Sequence, residues 1–122
     1  MSGDRLVADT NALIYFLEGD PTAISLLDGM EVFISFVSEL ELLGSKKATA
    51  DQLKKVERLL SDVTIIDINQ HLKELVIMLR KRHMIKLPDA LIAATAIHMN
   101  LPLVTADKDF DRLKEELALY RF

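Results

Sequence analysis

The sequence predicts an α/β fold in which helices cover both faces of a central, mostly parallel sheet. Segments of strand-forming residues alternate along the chain with segments whose apolar residues recur at helical spacing, a pattern typical of parallel sheets flanked by helices. The chain has 122 residues, half of them hydrophobic, which is enough for one domain with a real core. We therefore predict a single three-layer α/β/α sandwich over residues 1–122.

Five short segments have the composition of strands. Each is a run of apolar or β-branched residues next to turn-forming or charged residues. The last is expected at an edge of the sheet. The predicted strands lie at residues 6–8, 31–35, 63–67, 101–105 and 117–120.

Seven further segments favour helices. Asp20 before Pro21 indicates the start of the second helix, and Thr49 with Gln52 forms a capping pattern at the start of the fourth. The sixth helix is rich in alanine, and small side chains let a helix lie close to a sheet. The predicted helices lie at residues 10–17, 23–27, 37–43, 49–60, 69–82, 89–99 and 109–116.

The composition excludes several classes of protein. The absence of cysteine excludes disulfides, thiolate zinc sites and cysteine nucleophiles, and it suits a reducing cytosol. No run approaches the roughly eighteen apolar residues of a membrane span, and residues 1–4 do not begin a secretory signal. We therefore predict a cytoplasmic protein. Its net charge of -4 is not that of a protein that holds nucleic acid by bulk charge alone.

Four acidic residues from distant parts of the chain are predicted to meet at one edge of the sheet. Asp9 follows the first strand and Asp107 follows the fourth, while Glu41 and Asp89 lie near the starts of helical segments. Ligands of open α/β sheets bind beyond the carboxyl ends of the strands. Carboxylates gathered there need a cation or shared protons at neutral pH, and Mg²⁺ and Mn²⁺ prefer oxygen ligands. The four acids therefore predict a metal pocket suited to chemistry on phosphate.

Each acid also has an ordinary structural explanation. Asp9 and Asp89 could cap helices, Asp107 could be a turn residue, and Glu41 could be a solvated helix residue. Asp109 could support or replace a metal ligand, or could simply favour the dipole of the last helix. The combination favours a site, because three of the four principal acids follow a strand or precede a helix and no cap explains Glu41.

Other kinds of site have little support. No zinc-binding spacing links His71, His83 and His98, which are expected at the surface or partly buried. No glycine-rich nucleotide motif occurs. A receiver-type signalling domain would carry a pair of acids after its first strand, where this chain has only Asp9.

Four segments, in order, resemble the motifs of PIN-domain ribonucleases. Residues 6–11 (LVADTN) resemble an apolar strand that ends in D-[TS]-N, and residues 34–42 (ISFVSELEL) resemble S-x-x-[TS]-x-x-E-L. Residues 87–96 (LPDALIAATA) are similar to the third and most specific motif. Residues 103–110 (LVTADKDF) resemble a strand followed by T-x-D-x-D-F. The compact chain is most similar to the VapC group, the toxins of type II toxin–antitoxin pairs.

This resemblance implies a PIN-like fold with about five parallel strands and a Mg²⁺- or Mn²⁺-dependent endoribonuclease. Asn11 would orient an acid or a water, Thr105 would be a supporting hydroxyl, and Asp109 matches an acid sometimes present in the fourth motif. Matched position by position, the catalytic and metal-binding acids would be Asp9, Glu41, Asp89 and Asp107.

The second motif contains two candidate acids, Glu39 and Glu41. They lie two positions apart on a predicted helix and so cannot share a face. The spacing from Ser38 favours Glu41, with Leu40 and Leu43 predicted to face the core.

The resemblance implies a toxin that hydrolyses RNA by means of a metal-activated water. The alternative is a catalytically silent PIN-fold binding module, because a fold can persist without its chemistry. A toxin would have an RNA substrate, an antitoxin that covers the acids, and a homodimer, for which the apolar residues 14–17 could serve if they are not simply core. Lys46 and Lys47 could steer an RNA backbone toward Glu41, or be ordinary solvated charges.

Overall fold

A parallel sheet of five strands forms the centre of the computed structural model, which describes residues 4–122. Residues 1–3 lie outside the described residues. They belong to the predicted domain and to the N-terminal segment in which no secretory signal is predicted. The strands are β1 (Arg5–Ala8), β2 (Glu31–Ser35), β3 (Thr64–Ile66), β4 (Leu103–Thr105) and β5 (Leu119–Arg121). Their spatial order is β3-β2-β1-β4-β5, and every neighbouring pair is parallel.

Helices connect these strands and cover both faces of the sheet. Asp20 and Thr49 cap the second and fourth helices as predicted. Within residues 4–122 the α-helices are α1 (Thr10–Leu17), α2 (Pro21–Leu27), α3 (Phe36–Leu43), α4 (Ala50–Asp62), α5 (Gln70–Arg82) and α6 (Leu87–Met99). None of these helices is both long enough and apolar enough to span a bilayer.

The residues of the central strand alternate between two buried clusters. Leu6 and Ala8 of β1 pack with residues of α1, α2 and α4, whereas Val7 packs with residues of α5 and α6. This alternation follows from the two-residue period of a strand. The sheet is therefore the middle of three layers, which confirms the predicted α/β/α sandwich.

The last predicted helix is wrong in type and extent. The segment Lys108–Leu113 forms a 3₁₀ helix instead of an α-helix. Phe110 and Leu113 are both buried, and a 3₁₀ helix, with three residues per turn, places residues three apart on one face. The Asp107 side chain accepts a hydrogen bond from the Asp109 N–H at 2.9 Å, which caps this short helix.

Helix α6 begins two residues earlier than predicted, at Leu87 instead of Asp89. Pro88 does not prevent this, because proline is tolerated in the first turn of a helix. The alanines of α6 are buried, and the helix contacts α5, β1 and β2. Since a helix that crosses between parallel strands runs back against them, α6 directs its first turn toward the carboxyl ends of the strands.

Candidate metal centre and active site

The topology of the sheet brings two of the predicted acids together. β1 lies between β2 and β4, so the strand order reverses at the β1–β4 pair. Such a switch point leaves a crevice at the carboxyl ends of the strands. Asp9 follows β1 directly, and its backbone N–H donates to the Val104 carbonyl at 3.1 Å. Asp107 follows β4 and is therefore placed beside Asp9 by the strand pairing itself.

Asp9 is a buried carboxylate whose two oxygens are both bound by this chain. Its side chain is only 3% exposed. Oδ1 accepts a hydrogen bond from the Ala12 N–H at 2.8 Å, and Oδ2 accepts one from the Thr105 hydroxyl at 2.5 Å. Asp9 is thus the N-cap of α1, as its ordinary explanation requires, and it also lines the main cavity of the molecule.

Burial raises the pKa of Asp9 to about 6, and the negative charges of Asp107 and Asp89 add to this effect. The hydrogen bonds from Thr105 and Ala12 oppose the increase, because they favour the charged form. A nearby cation would stabilise the ionised form of such a buried carboxylate. Asp9 is therefore placed where a positive ligand would stabilise the fold.

The Thr105 hydroxyl joins the ends of β1 and β4. It is buried, donates to Asp9, and accepts a hydrogen bond from the Asp107 N–H at 2.9 Å. One small side chain therefore fixes the position of one acid and the backbone of another. This is the arrangement expected of the supporting hydroxyl that the sequence predicts at this position.

Three acids form a close group near the buried pair of Asp9 and Thr105. One carboxylate oxygen from each of Asp89, Asp107 and Asp109 lies within 4.8 Å of the others. Asp89 is the third residue of α6 and does not cap it, since Lys86 occupies the N-cap position. Asp109, predicted only as a supporting residue, belongs to this group because the 3₁₀ helix turns its side chain back toward Asp107.

Partial burial is the main cause of a raised pKa at Asp89. The negative charges of Asp107, Asp109 and Glu41 raise it further, while the Lys86 ammonium lowers it. The repulsion that the sequence predicts among these acids is therefore present in the structure. It is the electrostatic situation that a divalent cation relieves.

Glu41 joins the acids through a short chain of hydroxyl groups. The Thr10 hydroxyl donates to Glu41 Oε1 at 2.6 Å, and the Ser38 hydroxyl lies 2.9 Å from Thr10 Oγ1. Because the single Thr10 proton is used at Glu41, Ser38 is the donor to Thr10. Thr10 and Ser38 were not predicted as site residues, although the three-residue spacing between Ser38 and Glu41 places both on one side of α3.

The faces of α3 differ from the prediction. Leu40 and Leu43 are 61% and 44% exposed, so the expectation that they face the core is wrong. The buried residues of α3 are Val37, Ser38 and Leu42. A helix that buries positions 38 and 42 turns positions 40 and 43 away, and it leaves position 41 at the border of the buried face.

The main cavity has a volume of about 640 Å³ and contains four of the predicted acids. Asn11 also lines it, and so do two lysines, Lys47 and Lys55; Glu39 does not. The apolar lining residues are Ile14, Leu17, Leu42, Val56 and Ile92 among others. The acids that line it are Asp9, Glu41, Asp89 and Asp107.

The donor atoms at this site fit a hard divalent cation. Carboxylate oxygens are the ligands that Mg²⁺ and Mn²⁺ prefer, whereas zinc centres usually include nitrogen or sulfur. Among residues 4–122, the group of Asp89, Asp107 and Asp109 includes no histidine ligand. His71 and His98 instead contact each other, Nδ1 to Nδ1, at 2.7 Å, and His83 Nε2 lies 3.3 Å from Glu116.

Comparison with known proteins identifies a family and several solved structures of similar fold. The family model described as PIN domain matches residues 6–116. A sequence search of curated proteins finds no match. A structure described as a toxin–antitoxin complex from Klebsiella pneumoniae is 32% identical, with a TM-score of 0.80, and the alignment covers 96% of this chain and 99% of that one.

Two further solved structures share the fold over nearly their whole length. VapBC2 from Rickettsia felis, bound to a DNA fragment from its promoter, is 27% identical, with a TM-score of 0.81 and coverage of 97% of this chain and 98% of that one. VapBC-1 from nontypeable Haemophilus influenzae is 25% identical, with a TM-score of 0.75 and coverage of 96% and 97%. The predicted PIN-like fold and the similarity to the VapC group are thereby confirmed.

Proposed function

This chain belongs to the PIN-domain family, and from that premise we propose that it is a metal-dependent endoribonuclease, the toxin of a toxin–antitoxin pair. The observation that carries the proposal is the group of Asp89, Asp107 and Asp109, of which one carboxylate oxygen each lies within 4.8 Å of the others. The charges of Asp107 and Asp89 act on the buried Asp9. The raised pKa values of Asp9 and Asp89 reflect burial and mutual repulsion, which a bound cation would offset.

The residues that would hold Mg²⁺ or Mn²⁺ are the acids that line the main cavity, Asp9, Glu41, Asp89 and Asp107, together with Asp109. When bound, such an ion lowers the pKa of water and stabilises charge on a phosphate. All of these ligands are carboxylates, which suits the hard cation of the proposal.

The chain's own residues hold the acids in place. Thr105 and Ala12 fix the two oxygens of Asp9, and Thr10 fixes Oε1 of Glu41. These carboxylates therefore lose little rotamer freedom when a ligand binds, which favours tight and well-oriented binding. Lys47 and Lys55 line the same cavity and would attract the phosphates of an RNA strand.

We also propose that a cognate antitoxin covers this cavity. The similar structure that is 32% identical to this chain is described as a toxin–antitoxin complex. Here the cavity combines carboxylates with apolar residues such as Ile14 and Leu17, which suits a peptide segment that carries apolar side chains and a Lys or Arg. Phe16 packs against the core, so Ile14, Phe16 and Leu17 serve the cavity or the core. Tyr15, which is exposed, is left to contribute to the proposed homodimer.

The proposal is tested by incubating the purified protein with total cellular RNA in Mg²⁺ and in EDTA. We expect cleavage that leaves 5′-phosphate ends in Mg²⁺ and none in EDTA. The double substitution Asp9→Asn with Asp89→Asn should abolish cleavage, whereas Asp62→Asn, at an exposed acid at the end of α4, should not.

Cleavage that ignores EDTA, or that survives the double substitution, would contradict the mechanism. RNA binding without cleavage in any divalent metal would instead favour the silent binding module.

A further inference from the structure

A second cavity, of about 510 Å³, shares Asp89 with the main one. It is lined by residues from four parts of the chain: α5, the connection to α6, the first turn of α6 and the 3₁₀ helix. Three of them have basic side chains, Arg80, Lys86 and Arg112, and two have carboxylates, Asp89 and Asp109. We refer to this space as the basic cavity.

Two cations of the basic cavity form no close ion pair among the described residues, although the Lys86 ammonium acts on Asp89 and lowers its pKa. Over residues 4–122, neither Arg80 nor Lys86 forms an ion pair with another side chain, whereas the neighbouring Arg82 lies 3.5 Å from Glu116. A cation at the border of a cavity that no carboxylate contacts directly can bind an anion from solution.

Arg112 is held at the basic cavity by the connection between α5 and α6. Its guanidinium donates to the Met84 carbonyl, which lies in that connection. This contact uses only part of the donor capacity of the group, since a guanidinium carries five N–H donors. The remaining donors are suited to phosphate oxygens, which guanidinium groups bind in a fork-like geometry.

The acids and the cations meet at Asp89. This residue belongs to the close carboxylate group and lines both cavities, and Asp109 also lines the basic cavity. Because Asp89 borders both spaces, the basic cavity adjoins the place where a phosphate at the carboxylate group would lie. Lys47 and Lys55 line the main cavity and could bind the part of the RNA strand that lies there.

We propose that the basic cavity binds a backbone phosphate of the RNA strand, next to the phosphate that is cleaved at the acids. This inference rests on the proposed nuclease function for its choice of ligand. It assigns Arg80 and Lys86 to substrate binding and gives them no part in the chemical step. Their loss should weaken RNA binding, and loss of Arg80 alone should leave the carboxylate site intact.

The test measures RNA binding separately from cleavage. Every variant is made in an Asp9→Asn background, which is expected to be inactive and does not alter the basic cavity. A fluorescein-labelled single-stranded RNA of mixed sequence is titrated at several salt concentrations. The variants compared are Arg80→Gln, Lys86→Gln and their combination. The matched control is Lys73→Gln, which removes an exposed cation of α5 that lines neither cavity.

The combined variant should bind the RNA about tenfold more weakly, and each lost contact should reduce the slope of log K against log salt by about 0.7. The control should bind within about twofold of the background. In the active protein Arg80→Gln should raise KM and leave kcat within about twofold, since it removes binding and not chemistry. Lys86→Gln is left out of this comparison because the Lys86 ammonium lowers the pKa of Asp89. Circular dichroism verifies that each variant is folded.

The outcomes separate the two proposals. If RNA binding and its salt slope are the same in the combined variant and the control, the phosphate site is overturned even where cleavage is metal-dependent. If the protein cleaves no RNA but loses binding as described, the phosphate site stands and the nuclease proposal fails. If inorganic phosphate binding is lost in the combined variant while RNA binding is unchanged, the basic cavity takes a free anion and the inference is overturned.

Discussion

The buried acid and the open acids of the candidate site are held in different ways. Asp9 is 3% exposed and receives a hydrogen bond on each oxygen from its own chain. Asp89, Asp107 and Asp109 are half-buried or exposed, and one carboxylate oxygen of each lies within 4.8 Å of the others. The fold therefore supplies partners for one carboxylate and leaves the other three to solvent and to a cation. Charge at Asp9 should affect both stability and activity, and charge at the open acids mainly activity.

The largest expected effect is on catalysis by the open acids. Asp89→Asn should reduce RNA cleavage in Mg²⁺ by about a thousandfold, because the loss of several kcal/mol of charge stabilisation corresponds to a change of that size. Initial rates of cleavage measure it, with Asp62→Asn as the control. A reduction of less than about tenfold would show that Asp89 is not a ligand in the reaction.

The next effect distinguishes the buried acid by stability. Asp9→Asn should raise the free energy of unfolding at pH 7, without metal, by about 1–2 kcal/mol. A pKa raised from 3.8 to about 6 means that ionised Asp9 destabilises the fold by about 3 kcal/mol, a cost that Asn does not have. The Asn NH₂ group cannot accept the hydrogen bond from Thr105, and this loss offsets about 1 kcal/mol of the gain. Asp109→Asn, at an exposed acid, should change the value by no more than about 0.5 kcal/mol.

Urea denaturation of both variants in EDTA provides this comparison. If Asp9→Asn is less stable than the unmodified protein, the hydrogen bonds of Asp9 outweigh the cost of burying its charge, and the contrast between the two kinds of acid fails.

The same contrast predicts a direction of pH dependence. The pKa of Asp9 is higher in the folded state than in the unfolded chain, so the folded state binds more protons between about pH 4 and pH 6. The stability that protonated Asp9 contributes is complete below about pH 4 and is lost as the pH rises through about 6. The unmodified protein without metal should therefore become less stable across this range as the pH rises.

Asp89, whose pKa is also raised, acts in the same direction. Asp9→Asn should flatten the dependence without removing it. Thermal unfolding in EDTA at a series of pH values measures the slopes, and equal slopes in the two proteins would exclude Asp9 as the group that titrates.

A smaller effect is expected where a hydroxyl positions an open acid. Thr10→Val keeps the shape of the side chain but removes the hydrogen bond to Glu41 Oε1. It should lower kcat by about tenfold, the equivalent of one lost hydrogen bond to a charged group. Thr10→Ser, which keeps the hydroxyl, is the matched control. Equal activity of the two variants would show that Glu41 does not depend on Thr10.

Part of this site is predicted from the sequence because residues that directly follow parallel strands lie at the same edge of the sheet. Asp9 and Asp107 could be placed together from the strands alone, since parallel strands end at one edge of the sheet. The position of Asp109 could not, because it depends on a 3₁₀ helix where helical spacing favoured an α-helix. The orientation of α3 was predicted wrongly, since the apolar Leu40 and Leu43 face outward while the polar Ser38 is buried.

The basic cavity was not predicted at all. Arg80, Lys86 and Arg112 come from three elements, and no spacing in the sequence relates them. Only the packing of α5 and α6 against the 3₁₀ helix brings them to the same space. Patterns along the chain find groups that follow strands, whereas groups assembled by helix packing require the structure.

Calorimetric titration with Mn²⁺ tests the central claim, that these acids form a site for a divalent cation, most directly. The unmodified protein should bind the metal, and Asp89→Asn combined with Asp107→Asn should not, while Asp62→Asn should bind as the unmodified protein does. Because the metal favours the ionised acids, bound Mn²⁺ should also raise the unfolding temperature of the unmodified protein. Absence of binding at millimolar Mn²⁺, or equal binding by the double variant, would contradict the account.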